Sequence, residues 1–244
     1  MTVGIVPFPG SNCEDETAAA LAQLGIPYTI IPWHTTDDVS AYSGFVFPGG
    51  FSFQDRIRAG VIAAKLPIMA RIKALSGSRP ILGICNGAQI LVEAGFLSDG
   101  DTLDCAIDAN RHNGEAIGFV CDWGFLSPVN PSKNVFLKSF SESDVLPVQV
   151  CHAEGRFIHQ GAPVSGLKYT QLSGAPAQGF PYNPNGSQDN WAAISNSAGN
   201  VLAIMPHPER SMDSRVYPQS IRVVADRHGY RLVPFTTLFK GFVT

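Results

Sequence analysis

Long hydrophobic runs, basic clusters and paired cysteines are all missing from this sequence of 244 residues. The apolar start, Val3-Gly4-Ile5-Val6, has no basic leader and is too short for a secretory core or a membrane span. It is expected to be a first strand, in a cytoplasmic protein with no membrane contact. Lys and Arg number 17 against 20 Asp and Glu, a formal charge of -3. Without clustered cations there is no source of sequence-independent attraction to phosphate backbones, so nucleic acid is not expected as a partner. The 5 cysteines, Cys13, Cys85, Cys105, Cys121 and Cys151, are odd in number and widely spaced, with no C-x-x-C pair. That pattern excludes a secreted disulfide framework and fits a reducing compartment. The Asn185-Gly186-Ser187 sequon is then expected to carry no sugar. No ligand set has zinc spacing, and no G-x-x-x-x-G-K-[ST] loop or other nucleotide cradle occurs, so neither a metal nor a cofactor is expected in this chain.

What the sequence does hold is apolar mass: 45% of residues are hydrophobic and 15% charged, the profile of a compact enzyme-like body. No repeat, low-complexity tract or linker marks a boundary, so residues 1–244 are read as one domain. The first half alternates short apolar runs with helical stretches. Strands are expected near Val3 to Pro7, Tyr28 to Ile31, Phe45 to Phe47 and Ile81 to Ile84, with helices around Glu14 to Leu24, Asp55 to Leu75 and Asn86 to Ala94. That alternation predicts an α/β fold with a doubly wound, mostly parallel sheet whose ligands sit at the carboxyl ends of the strands. From Ala116 to Val150 the runs are strand-like and broken by Pro, Asn and Ser, as expected of antiparallel additions. A turn-rich tract at Phe180 to Asn190, a strand at Val201 to Met205 and C-terminal helical segments follow, with Phe235 to Phe242 apolar enough for a packed helix.

Gly83-Ile84-Cys85-Asn86-Gly87 follows an apolar strand and opens a helix, the context of a nucleophile elbow. Such a turn strains its central residue, so glycines two positions away on each side are needed to avoid clashes. A thiol at a helix N-terminus meets unpaired amides and a dipole that favour the thiolate. The Asn86 amide can face a developing oxyanion, and Pro48-Gly49-Gly50, after another strand, offers a second donor, Gly50 being preferred over Gly49. The plain alternative is a small buried hydrophobe, and that is the reading for Cys13, Cys105, Cys121 and Cys151.

A cysteine nucleophile needs a histidine, and the histidine an orienting group. Of 6 histidines, His207 stands out, because Met205-Pro206-His207-Pro208-Glu209 constrains its own backbone. Each proline disfavours helix in the residue before it, so Met205 and His207 should be extended and His207 and Glu209 should share a face. A surface turn carrying a solvated His and Glu is the bland reading. The rival is His152 in Cys151-His152-Ala153-Glu154-Gly155-Arg156-Phe157, where no proline enforces geometry. It is placed on a loop at the mouth of the site, contacting substrate or partner. His34, His112, His159 and His228 read as surface or satisfied core residues.

With these motifs in hand, the sequence resembles the class I glutamine amidotransferases, through Cys85 in Gly-Ile-Cys-Asn-Gly, the late Met-Pro-His-Pro-Glu-Arg and the early Pro-Gly-Gly-Phe-Ser. It is similar, more narrowly, to the glutaminase-subunit family of phosphoribosylformylglycinamidine synthases of purine biosynthesis. The resemblance runs from Phe8-Pro9-Gly10-Ser11-Asn12-Cys13 through Arg210, taking in Asp55-x-x-Arg58-x-Gly60, the His152 loop and Asn183-Pro184-Asn185-Gly186-Ser187. It departs at Ala88 and at Phe53-Gln54, and beyond Arg210 it is loose. The resemblance implies a three-layer flavodoxin-like sheet and a catalytic triad of Cys85, His207 and Glu209. It also implies that Gln89 helps bind the substrate, beside the Gly50 and Asn86 oxyanion donors and the His152 substrate contact read from the residues above. It implies glutamine as substrate and, as partners, a large synthetase that holds ATP and magnesium and a small accessory subunit. The Arg56 and Arg58 region, the His152 loop and the Asn183 to Ser187 turn are candidate docking surfaces. Another amidotransferase, a DJ-1-like cysteine hydrolase or redox protein using Glu14, Asp15 or Glu16, and a non-catalytic subunit are the competing readings.

Overall fold

The computed structural model describes residues 1–98 and 105–243 and centres on one nine-stranded sheet. Its elements, in chain order, begin with β1 (Val3–Ile5), α1 (Glu14–Gln23), β2 (Tyr28–Ile30), β3 (Gly44–Phe47), α2 (Val61–Ala64) and α3 (Pro67–Lys73). Next come β4 (Ile81–Ile84), α4 (Asn86–Glu93), β5 (Cys105–Asp108), β6 (Arg111–His112), β7 (Glu115–Ala116) and β8 (Val120–Val129). The chain closes with β9 (Leu146–His152), β10 (Arg156–His159), β11 (Gly166–Thr170), β12 (Trp191–Ser195), β13 (Val201–Ile204) and α5 (Gln219–His228).

The sheet order is β2-β1-β3-β4-β13-β12-β11-β8-β9. Pairing is parallel from β2 through β13 and antiparallel from there to β9. The chain steps one way from β1 to β2 and the other way from β3 to β4. Right-handed crossovers therefore put α1 and the α2–α3 pair on opposite faces, which makes the sheet doubly wound. Strands β1, β3, β4 and β13 are buried along their whole length, the continuous apolar pattern required when helices cover both faces. Edge strand β2 is exposed throughout. Strands β5 and β10 form a small separate ribbon, as do β6 and β7.

Two expected elements differ. The stretch from Asp55 is not helical at its start, because Phe53, Gln54, Asp55 and Ile57 all take positive φ (52° to 75°), and helix begins only at α2. The C-terminal apolar stretch packs as expected, with Phe235, Leu238, Phe239 and Phe242 buried. It winds as a 3-10 helix over Phe235–Phe242, the i to i+3 form used in short pieces.

Candidate active site

The elbow is built by steric necessity. Cys85 lies between β4 and α4 at φ 52°, ψ -110°, a region that costs an ordinary residue on the order of 1–3 kcal/mol. The turn is over-determined by its surroundings. The Cys85 amide donates to the Ile204 carbonyl at 2.8 Å, tying it to β13. A Cβ on Gly83 would lie 2.6 Å from both the Gly87 oxygen and Leu91 Cδ1, and one on Gly87 would lie 1.9 Å from the Phe47 oxygen. Fully buried Leu91 in α4 contributes about 1.5–3 kcal/mol by burial and holds the helix on the sheet.

His207 follows β13 and reaches the same spot. Its backbone, at φ -104° and ψ 85°, is non-helical, in keeping with the proline after it. Glu209, however, is not on an extended run. Pro208–Arg210 form a 3-10 turn, and that turn brings the carboxylate to the ring, with Nδ1 2.6 Å from Glu209 Oε1. Both side chains are enclosed, 3% and 0% exposed. The His207 amide donates to the Gln149 carbonyl of β9 at 2.8 Å. Burial opposes a charge on the ring, but Glu209 first, then Cys85 and Cys13, raise its pKa well above the usual value.

Gly49 is the point of convergence. A Cβ there would sit 2.9 Å from His207 Cε1, 3.3 Å from Cys85 Cβ and 3.1 Å from Cys13 Sγ. Only a residue without a side chain leaves room for all three. With Nδ1 engaged by Glu209, the other ring nitrogen is the one left to exchange a proton with Cys85.

Cys13, read as structural from the sequence, proves to be a neighbour of this group. Its sulfur is 3.9 Å from His207 Nδ1 and accepts from Arg210 Nη2 at 3.2 Å, and the same guanidinium nitrogen donates to Glu16 at 3.2 Å. The Glu14–Glu16 acids populate the first turn of α1. Cys13, His207 and Glu209 offer donor atoms within 4.8 Å of one another, the arrangement among the described residues that could hold a metal. The Arg210 cation against the thiol and the Glu209 bond on Nδ1 both oppose one there.

A cavity of about 50 Å³ opens beside the thiol, lined by Gly50, Phe51, Asp55, Ala59, Cys85, Gln89, Cys151, His152, Ala153 and Glu154. Gly50, at φ 141°, leaves no space for a Cβ, which would lie 2.7 Å from the Asn12 amide nitrogen. Neither the Gly50 nor the Asn86 amide has a backbone acceptor among the described residues, so both donors are free. The Asn86 side chain braces the wall: it accepts from the Ser52 amide at 3.0 Å and donates to Gln89 Oε1 at 2.9 Å. Gln89 in turn donates to the Glu154 carbonyl at 2.6 Å. Gln89 thus borders the cavity with its amide committed to protein partners.

His152 ends β9 rather than sitting on an open loop, and it is 3% exposed. Burial, helped by the charge on His207, pushes its pKa down to about 3, so the ring is neutral. The Asn183 to Ser187 turn is no open docking surface: Asn183, Asn185 and Ser187 are buried. Asn185 Nδ2 donates to the Gly155 carbonyl at 2.6 Å, and the Phe157 amide donates to Ser187 Oγ at 3.0 Å. The turn is a clamp on the His152 loop. Arg58 lies against Glu93 in an ion pair, while Arg56 is exposed. His34, His112 and His228 are exposed and His159 is buried, its Nδ1 2.7 Å from the Gly161 carbonyl.

Sequence reasoning passed over Asp55, Glu154, Gln149 and Arg210. Glu154, two residues beyond His152, and Asp55, in a quoted motif, were visible as patterns. Gln149 acts only through its backbone and leaves no signal.

The sequence pattern of the CobB/CobQ-like glutamine amidotransferase domain matches residues 1–240. A phosphoribosylformylglycinamidine synthase subunit PurQ of Methanothrix thermoacetophila is 38% identical over 227 residues, covering 86% of this chain and 87% of its own length. The protein of that name from Chlorobium luteolum is 35% identical over 249 residues and covers 98% of both. A chain in the structure of PurLQS from Thermotoga maritima superposes with a TM-score of 0.75 at 26% identity, over 99% of this chain and 97% of that one.

Proposed function

Because the chain belongs to the CobB/CobQ-like glutamine amidotransferase family, we propose that it is the glutaminase subunit of a phosphoribosylformylglycinamidine synthase. In this role it releases ammonia for a synthetase partner in purine biosynthesis. The observation that carries the reading is the enclosed His207–Glu209 pair, 2.6 Å apart, set against a cysteine on a strained elbow at the edge of a cavity.

The Cys85 sulfur attacks the side-chain amide carbon of glutamine, and the Gly50 and Asn86 amides donate to the oxygen as it gains charge. His207 passes its proton to the amide nitrogen, the carbon–nitrogen bond breaks, and ammonia leaves a glutamyl thioester. The same ring then takes a proton from water, hydroxide adds to the thioester, and glutamate leaves with Cys85 restored. Glu209 holds the ring in the tautomer both steps need.

The chain carries no nucleotide cradle, so ATP and magnesium belong to a large synthetase subunit, with a small accessory subunit completing a cytoplasmic assembly. No helix among the described residues is long and apolar enough to cross a membrane. Residues 1–244 act as one amidotransferase domain. Ammonia protonates readily in water, so turnover must be coupled to docking, and the isolated chain has weak glutaminase activity.

The test is Cys85→Ala in the assembled synthetase. Glutamine-dependent product formation should vanish while ammonia-dependent formation persists. Glutamine use by the variant would end the assignment, and equal glutamine turnover by wild type with and without its partners would end the coupling.

A further inference from the structure

The cavity beside Cys85 is bordered by two carboxylates, Asp55 and Glu154, and by no lysine or arginine. Asp55 comes from the strained loop after β3 and Glu154 from the turn between β9 and β10, so the two arrive from opposite halves of the sheet. Neither pairs with a cation among the described residues. Each receives one long hydrogen bond: Asp55 Oδ1 from Asn86 Nδ2 at 3.3 Å, and Glu154 Oε2 from the Ala59 amide at 3.4 Å. Burial first, then the charge on Glu154, push the Asp55 pKa up to about 6, so the two groups are near enough to oppose each other.

A second, independent observation lies on the same wall. His152 is 3% exposed, and both of its ring nitrogens are buried without a partner. Buried polar atoms in folded proteins are nearly always satisfied, and leaving them open costs free energy that a ligand can recover. Two unpaired carboxylates and a neutral imidazole make an acceptor set, and it calls for a cationic donor with several hydrogens. An ammonium offers three.

We propose that Asp55 and Glu154 clamp the α-ammonium of the substrate glutamine, with the His152 ring accepting a third hydrogen bond, so that the side-chain amide is presented to Cys85. This deepens the glutaminase reading and rests on it. The clamp is a specificity device: an amide lacking the ammonium would leave two carboxylates facing each other unneutralised, a mismatch that discriminates more strongly than shape. It also gives the strained 53–57 loop a function, since those left-handed residues hold Asp55 at the cavity edge.

The experiment uses the assembled synthetase and compares glutamine with glutaramate, which keeps the amide and the carboxylate but lacks the ammonium. Wild type, Glu154→Gln and Asp55→Asn are each measured for glutamine KM and for the inhibition constant of glutaramate against glutamine. Each variant should raise the glutamine KM by about 10-fold or more, leave glutaramate binding unchanged or tighter, and keep ammonia-dependent synthesis intact. Parallel weakening of glutamine and glutaramate would show a merely structural loop role, and no change in glutamine KM would show no contact; either result overturns the clamp. Failure of the glutaminase reading is separable, because it appears as glutamine use by Cys85→Ala.

Discussion

Glu209→Gln removes a charge while keeping shape, and its consequences follow from one enclosed pair. At 2.6 Å, unit charges in an effective dielectric near 20 attract by roughly 6 kcal/mol. Desolvation of two ions costs several kcal/mol each and offsets much of that. Stripped of the carboxylate, a ring that is 3% exposed has little left to hold its proton, because burial then acts with less opposition. His207 would therefore lose its charge rather than stay buried and unpaired, and the fold should weaken by only about 1–2 kcal/mol. Catalysis should suffer far more, since a ring in the wrong tautomer cannot relay protons, and a loss on the order of 10⁴-fold accompanies this change in a catalytic triad. The assay is glutamine-dependent against ammonia-dependent synthesis across pH. The glutamine rate should collapse and the His207 pKa should fall, with ammonia use unaffected. A variant within about threefold of wild type, under 1 kcal/mol in barrier, with an unchanged pH profile, would refute the reasoning.

Gly87→Ala should lower stability by about 1–3 kcal/mol, because the new Cβ meets the Phe47 oxygen at 1.9 Å. Gly77→Ala, with nothing within 4 Å of its Cβ position, is the control and should leave the melting temperature unchanged or slightly raised. Asp55→Asn should stabilise the free chain at neutral pH. The folded pKa of about 6 lies above the 3.8 of a free aspartate, so the folded form binds more protons and wild type loses stability as pH rises from about 4 to 6. Discounted for solvent screening, the gain at pH 7 is about 1 kcal/mol and disappears near pH 4; denaturant titrations at the two pH values would contradict this if the gap were constant. For His207 the sign is opposite: its raised pKa means a stabilisation present below the unfolded value near 6.5 and lost as pH climbs through the folded one, which unfolding free energies above neutral pH can follow.

Much of the parallel half was legible because its signals are local. Val3–Ile5, Gly44–Phe47 and Ile81–Ile84 are short apolar runs bounded by turn residues, and the glycines around Cys85 are spaced for a clash that a Cβ would cause. The antiparallel half was legible only in outline: Gly166–Thr170 and Trp191–Ser195 were not picked out, since pairing across the chain rather than composition decides them. Within the site, the Met205 to Glu209 prolines correctly forbade helix at His207. They hid that a 3-10 turn, not strand alternation, delivers Glu209. Cys13 looked incidental because its contacts, with His207 and Arg210, lie 194 and 197 residues away. Asp55 was visible as a letter in a motif. Its role depends on a run of left-handed residues that no propensity favours, and such violations concentrate where function demands them.

The two halves divide the chemistry unequally. Strand β4, helix α4 and the Gly49 bend build the elbow and the free amides from parallel elements alone, whereas β9 and the turn after it supply the facing wall, Cys151 to Glu154. The strand's Gln149 carbonyl fixes the His207 backbone, its Cys151 carbonyl lies 3.7 Å from the Cys85 sulfur, and its last residue is His152. Strand β9 closes the antiparallel end of the sheet beside β8, is mostly buried, and is bridged on its other side to His207 through Gln149 and, through Val145 just before it, to Leu232. The thiol is therefore held by the parallel centre of the sheet, and the histidine that faces it is tied by its backbone to the antiparallel end. Anything that shifts β9 moves proton transfer and substrate binding together and leaves the elbow untouched.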